Sequence, residues 1–278
     1  MSVLNLERFG DYLAFDEGQC RAAGRALAGE YRHASPFPHI VIDNLLDAEM
    51  LRSIAGNYPS LDGKQFFDRD QERLKYQFPA KEIAFGMTRN LLAELNGEAF
   101  HGFLEEMTGI TGLIADPYFA GGGLHLTRRG GHLSVHADFN IHGVMNVERR
   151  LNLLVYLNDD WHGEYGGELE LWDKAMASCV KSVSPVLGRA VVFNTSLDSY
   201  HGQPQPLTCP EDRDRRSIAT YYYTALNDIS GVKQRTTTFQ PRPGTVDKPD
   251  RKVQFDHVVQ DWVPPRLQKF ARRCNPFK

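Results

Sequence analysis

Beyond about Asp116 the apolar residues of this chain recur at every second position, and Gly, Pro, Asn and Asp break the pattern every few residues. A period of two belongs to strands with one face buried. The segments GLHLT, HLSVHADF, RLNLLVYLN, GELELWD, KSVSP, GRAVVFN, QPQPL and RRSIATYYYT read as successive short strands. Eight such strands with regular turn signals predict an all-β sandwich or barrel, and a double-sheet jelly roll suits their number and length.

The residues before this switch follow a different rhythm. FPHIVIDNLL is strand-like up to Asp43, and the next segment carries a helix start at Asp47 and a stop near Pro59. KEIAFGMTRNLLAELNG and GEAFHGFLEEMTG have helical apolar spacing and end at glycine. The polar, aromatic-bearing stretch 61–80 reads as a long loop that contacts substrate. The expected organisation is therefore a largely helical support region over 1–115, a β core over 116–226 and an extension over 227–278. The fold class is mainly β with α+β character.

Bulk properties narrow the function. The 278 residues carry a formal net charge of -3 and no long basic run, so nucleic acid and anionic membranes are not expected partners. No basic and apolar leader is visible at the start, and no run approaches a membrane span. The four cysteines are scattered without a Cys-x-x-Cys pair, which fits reduced thiols in a cytoplasmic protein. Oligomeric state leaves no mark on the sequence.

GGHLSVHADFN carries the chemistry. On a strand, His132, Ser134, His136 and Asp138 share one face, and Leu133, Val135, Ala137 and Phe139 share the other. His136-x-Asp138 places an imidazole and a carboxylate side by side, as a facial metal site requires. A third ligand must come from elsewhere, and His201 in SLDSYHGQPQP is the candidate. In DRRSIATYYYT, Arg215 shares a face with Ser217 and Ala219, which leaves room for a carboxylate ligand in the arginine fork. Arg216 shares the opposite face with Ile218 and Tyr222, which reads as packing. In RLNLLVYLN, Asn152 and Tyr156 lie opposite an apolar row of Leu151, Leu153 and Val155, and both can donate hydrogen bonds to an oxyacid. Other constellations are weaker. His132 and His136 have a helical zinc spacing but sit on a strand. His162-Gly-Glu164 lies in a polar turn, His142 reads as a loop residue, and the glycines at 121–123 precede no helix.

His136-x-Asp138, YLND with YGGELELWD, His201 and Arg215-x-Ser217 occur in an order and spacing that resembles the iron(II)- and 2-oxoglutarate-dependent dioxygenases, most of all their prolyl 4-hydroxylase-like branch. The resemblance is strongest from Gly121 to Thr224, and FPHIVIDNLL is similar to the segment that opens many members. It implies a double-stranded β-helix in which His136, Asp138 and His201 bind Fe(II). Arg215 would pair with the far carboxylate of 2-oxoglutarate, assisted by Tyr156, Asn152 and Ser217. It also implies O2 as co-reactant, ascorbate as an accessory reductant, and hydroxylation of an aliphatic carbon with release of succinate and CO2. A prolyl residue, a free amino acid or a related metabolite would be the substrate, so the partner is a small molecule or a peptide. Asp138 favours hydroxylation over halogenation, because halogenating relatives usually lack this carboxylate. The chain departs from the pattern at Leu126, where many relatives have a cosubstrate Tyr; His125 and Thr127 are the neighbouring candidates. A cupin-like metalloenzyme without 2-oxoglutarate, and a non-enzymatic ligand-binding jelly roll, remain as rivals.

Overall fold

The computed structural model describes residues 2–61, 65–84, 86–226 and 233–277. In chain order the strands are β1 (Leu6–Phe9), β2 (Tyr12–Phe15), β3 (His39–Ile42), β4 (Gln65–Arg69), β5 (Glu72–Phe78), β6 (Gly123–Ala137), β7 (Val147–Tyr156), β8 (Leu169–Trp172), β9 (Cys179–Val183), β10 (Ala190–Asn194), β11 (His201–Gln203), β12 (Arg215–Ala225) and β13 (Thr238–Phe239). The helices are α1 (Glu17–Arg32), α2 (Ala48–Gly56), α3 (Met87–Leu95), α4 (Glu98–Thr108), α5 (Arg251–Trp262) and α6 (Pro265–Arg273).

One long strand, β6, organises the rest. GLHLT and HLSVHADF, which read as two strands, are the two halves of β6. Its first half pairs with β12 on one side and β5 on the other. Its second half pairs with β11 and β13. Two glycines let it change sheets. Gly130 adopts φ +78°, open mainly to glycine. At Gly131 a Cβ would lie 2.7 Å from the Arg73 carbonyl oxygen and 2.8 Å from that of Arg128.

The larger antiparallel sheet runs β3-β10-β7-β12-β6-β5-β4, and the smaller runs β9-β8-β11-β6. Together they form a double-stranded β-helix. Strands from both sides of residue 116 share the larger sheet, since β3 pairs with β10 and β5 with β6. The helical layer covers one face of this sheet. Leu124, Leu126, Leu151, Leu153, Val155, Ile218 and Tyr222 are buried there with Leu92, Phe100, Phe103 and Leu104 of α3 and α4. The other face looks toward the smaller sheet, where Tyr156 and Phe193 join Leu169, Leu171 and Val183 in a second apolar cluster.

Local chemistry sets the helix ends. The Asp16 and Asp47 carboxylates accept from the backbone N–H groups of Gln19 and Met50, which caps α1 and α2. Gly109, with φ +77°, closes α4. No described helix is long and apolar enough to cross a membrane.

The structure corrects three expectations. Most of the stretch expected as a loop over 61–80 is the β4–β5 hairpin, which extends the larger sheet; residues 62–64 lie outside the described residues. Its charged side chains masked an alternation that is complete in Lys75, Tyr76, Gln77 and Phe78. QPQPL is not a strand beyond Gln203, because Pro204 and Pro206 have no N–H to give a ladder. The first third, although largely helical, also holds the β1–β2 hairpin.

Gly131→Ala should lower stability by about 1–3 kcal/mol, because the added methyl meets backbone on two sides. Gly29→Ala is the contrasting change: nothing lies within 4 Å of a Cβ at this exposed helical site, so stability should rise by up to about 1 kcal/mol. Urea unfolding of the two variants checks both signs.

Candidate functional site

The antiparallel register between β11 and β6 sets His201 directly opposite His136. Their rings are 4.5 Å apart. Asp138 lies two residues beyond His136 and returns to the same side. The three residues offer ligand atoms that all lie within 4.8 Å of one another. The His136 Nε2 to Asp138 Oδ1 distance is 3.7 Å, and His201 Nε2 to Asp138 Oδ2 is 3.4 Å.

Hydrogen bonding sets the tautomers. The Nδ1 of His136 lies 2.9 Å from the Ser134 carbonyl oxygen, and that of His201 lies 3.0 Å from the Ser199 carbonyl oxygen. A carbonyl only accepts, so each Nδ1 carries a proton and Nε2, on the side facing Asp138, is the atom each ring can offer to a metal. Burial, reinforced by His136, pushes the His201 imidazole down to about 4, although Asp138 opposes the shift. It is therefore neutral and ligand-ready near neutral pH. Two imidazoles that offer Nε2 and one carboxylate on a single face fit a divalent metal such as Fe(II).

Asp138 is held ionised against its burial. Desolvation raises its pKa, but Arg149, followed by the two histidines, holds the carboxyl well below the usual range. Asn152 Nδ2 donates to Asp138 Oδ2 at 2.8 Å, and Arg149 Nη2 lies 3.1 Å from the same oxygen. The Asn152 Oδ1 accepts from both Nε and Nη2 of Arg149. Both ends of the Asn152 amide thus engage the carboxylate and its partner, and its Nδ2 keeps a second N–H at the cavity that Asn152 lines.

A cavity of about 250 Å³ opens beside the triad. Arg215 and Ser217 of β12 line it, as do His125 and Thr127 of β6, while Leu126 is buried in the helical core on the opposite face. Arg215 Nε donates to the Gly167 carbonyl at 2.7 Å, and Nη2 donates to the Tyr156 hydroxyl at 3.4 Å. Tyr156 thus underlies Arg215 and orients it. Arg216 points the other way: Nη1 donates to the Ala55 carbonyl, and the guanidinium sits 5.1 Å from the Tyr58 ring centre.

The other histidines stay apart. His132 Nε2 bonds the Asp70 carbonyl. The Nδ1 of His142 accepts the N–H groups of Val144 and Met145, which leaves Nε2 facing Asp116 at 3.4 Å. His162 and Glu164 lie at a short turn outside the cavity.

Sequence reasoning missed Arg149 and Glu72 as cavity residues, whereas Lys75 belongs to the stretch it expected to contact substrate. In β7 the pocket side carries Asn152, Leu154 and Tyr156, so strict alternation would give position 150 to the cavity. A bulge intervenes, because Tyr222 pairs with Leu151 but Tyr223 pairs with Arg149. The bulge exchanges the faces. No single-sequence signal marks it.

The family model of the 2OG-Fe(II) oxygenase superfamily matches residues 122–223. No curated protein matches the chain. Among solved structures, a Pseudomonas putida prolyl-4-hydroxylase aligns with TM-score 0.51 and 17% identity over 73% of this chain and 100% of its own. The non-heme α-ketoglutarate-dependent epimerase SnoN from nogalamycin biosynthesis aligns with TM-score 0.50 and 13% identity, over 82% of this chain and 92% of its own. Both likenesses concern the fold.

Titration with Co(II), followed by its visible absorption, should show one site in the parent protein. His201→Ala should abolish it, His132→Ala should leave it unchanged, and Asn152→Ala should weaken it by roughly 10–100-fold through loss of the support to Asp138. Undiminished binding in His201→Ala would remove that residue from the site.

Proposed function

We propose that this chain, whose residues 122–223 match the 2OG-Fe(II) oxygenase superfamily model, is a 2-oxoglutarate-dependent dioxygenase that hydroxylates an aliphatic C–H bond of a small-molecule or peptidyl substrate, with release of succinate and CO2. The observation that carries the reading is the convergence of His136, Asp138 and His201 at one wall of a cavity that also holds Arg215.

Each residue has a part. His136 and His201, through Nε2, and Asp138, through its carboxylate, hold Fe(II). Iron bound there supplies, with O2 and 2-oxoglutarate, the oxidising power for an unactivated C–H bond. Asp138 fills the position that halogenating relatives leave open, which favours transfer of a hydroxyl group.

Arg215 receives the distal carboxylate of 2-oxoglutarate. Its Nε and Nη2 are fixed by Gly167 and Tyr156, so little side-chain freedom is lost on binding. The hydroxyls of Ser217 and Thr127 stand beside it as further donors. His125 takes the strand position next to the missing tyrosine. Burial keeps its pKa well below the ordinary value, and its Nε2 is bound to the Gly121 carbonyl, so it adds no charge to the cosubstrate pocket. Leu133, Leu154, Leu169 and Phe193 keep water from the reacting centre. The prolyl-4-hydroxylase likeness makes prolyl peptides, proline and related amino acids the first substrates to screen by succinate release. The support region 1–115 supplies β5 to the cavity wall, and the extension 227–278 supplies Phe239.

Binding of 2-oxoglutarate to the Fe(II)-loaded protein under argon should give a visible charge-transfer band; its absence would overturn the reading. Arg215→Ala should weaken 2-oxoglutarate by roughly 10- to 150-fold, the equivalent of a charge-assisted hydrogen bond. Arg216→Ala should remain within a few-fold of the parent. The same band, titrated in each variant, distinguishes the two arginines.

A further inference from the structure

Arg149 is a buried cation with a free edge. Only 2% of it is exposed. Its guanidinium lies between two aromatic rings, 3.5 Å from the centre of Tyr221 and 4.5 Å from that of Phe139. Nε and Nη2 are occupied by Asn152, and Nη2 also faces Asp138. Nη1 donates to none of the residues that position Asp138 and is not one of the buried orphaned atoms, and the Tyr221 hydroxyl also draws on the guanidinium. Nη1 is the edge left for the cavity that Arg149 lines.

Burying a guanidinium is costly unless its charge is met. The carboxylate that meets it is Asp138, which the reading above also assigns to a metal dication. With that dication in place, one carboxylate serves two cationic centres, and Arg149 is left under-compensated.

The whole cavity has the same imbalance. Four side-chain cations line it, Arg69, Lys75, Arg149 and Arg215, against two carboxylates, Glu72 and Asp138. Adding a metal dication and the 2-oxoglutarate dianion does not change the difference. Arg215 is spent on the cosubstrate. Glu72 is shared by Lys75 at 2.8 Å and Arg69 at 3.3 Å, so it cannot offset both. Arg69 is half exposed and partly screened by water, whereas Lys75 and Arg149 are not. Beyond the carboxylate that Arg215 takes, the surplus positive charge rests on Lys75 and Arg149.

The geometry points to a substrate that carries an oxyanion, a carboxylate or a phosphate, seated on Arg149 Nη1 and assisted by Lys75, with the reacting C–H bond a few atoms away. This rests on the oxygenase reading of the cavity and adds the class of substrate. Planar guanidinium donors suit either oxyanion. A neutral substrate would leave the charge unmet, and a cationic one would be repelled.

The test uses the full chain, saturated with Fe(II) and 2-oxoglutarate under argon so that the metal and Arg215 are already engaged. Acetate, methylphosphonate and acetamide are each titrated at constant ionic strength. Dissociation constants are read from the rise in unfolding midpoint. At least one of the two oxyanions should bind about tenfold or more tightly than acetamide, and the stronger of them identifies the carboxylate or the phosphate class. Arg149→Gln, brought to full Fe(II) and 2-oxoglutarate occupancy as read from its charge-transfer band, should lose that preference by about tenfold or more; Lys75→Gln, whose partner is Glu72, should also lower it while its band titrates with 2-oxoglutarate within a few-fold of the parent. Equal binding of oxyanions and acetamide by the parent protein overturns the inference without any variant. So does a fully loaded Arg149→Gln protein that keeps the oxyanion preference, or a Lys75→Gln protein that keeps it and loses 2-oxoglutarate affinity instead, since Lys75 would then serve the cosubstrate. Absence of the band in the parent would instead fail the oxygenase reading, and this inference with it.

Discussion

A slip of one residue between β11 and β6 would turn His201 away from His136 and dismantle the site. The register is therefore the constraint on which the rest depends. Several features fix it. β6 can leave the larger sheet only where Gly130 and Gly131 permit the turn. The backbone of Gly202 lies against β6 so closely that a Cβ would come within 2.9 Å of the Leu133 oxygen. Phe193 and Phe239 pack against the two imidazoles, with ring centres 4.7 Å from His201 and 5.4 Å from His136. Backbone geometry and aromatic packing act together to hold two side chains from distant parts of the sequence face to face.

The electrostatics of the site follow from the same placement. Four polar side chains, His136, His201, Asn152 and Arg149, converge on the Asp138 carboxylate, and each is itself fixed. The histidines are tied through Nδ1 to carbonyls two residues upstream, and Asn152 is oriented by Arg149. The three donor groups are thereby held within 4.8 Å of one another. A carboxylate buried this deeply would ordinarily be protonated or displaced. Arg149 prevents that, and its insertion between Tyr221 and Phe139 holds the charge in position at low conformational freedom.

Much of this was legible in the chain. The period of two places His136 with Asp138, separates Arg215 from Arg216, and puts Leu151, Leu153 and Val155 against the helices. In each of these segments the strand is regular, so counting by two works. It fails where a bulge intervenes. Arg149 lies beyond the irregularity in β7, and Glu72 lies beyond the one between Arg73 and Lys75, where Leu74 adopts φ +49°. Both residues reach the cavity from positions that simple alternation assigns to the other face. The β4–β5 hairpin was illegible for another reason. Its inward face is charged because it borders a polar cavity, so it lacks the apolar row that marks a strand over a core.

The origin of the cavity walls separates two tasks. Residues 122–223 match the family model, and within them lie His136, Asp138, Asn152, Tyr156, Arg215 and Ser217. Part of the remaining wall comes from outside that segment: Phe67, Arg69, Glu72, Lys75 and Gln77 from the hairpin, and Thr237 and Phe239 from the extension. The hairpin is attached along β6, so its side chains can change without disturbing the β6–β11 register. Arg149 belongs to both tasks, because two of its nitrogens serve Asn152 and Asp138 while the third faces the cavity. A change there acts on the carboxylate ligand and on the cavity's charge together, whereas a change at Lys75 alters the charge alone. Chemistry and recognition are thus separable along β5 but coupled at the β7 bulge.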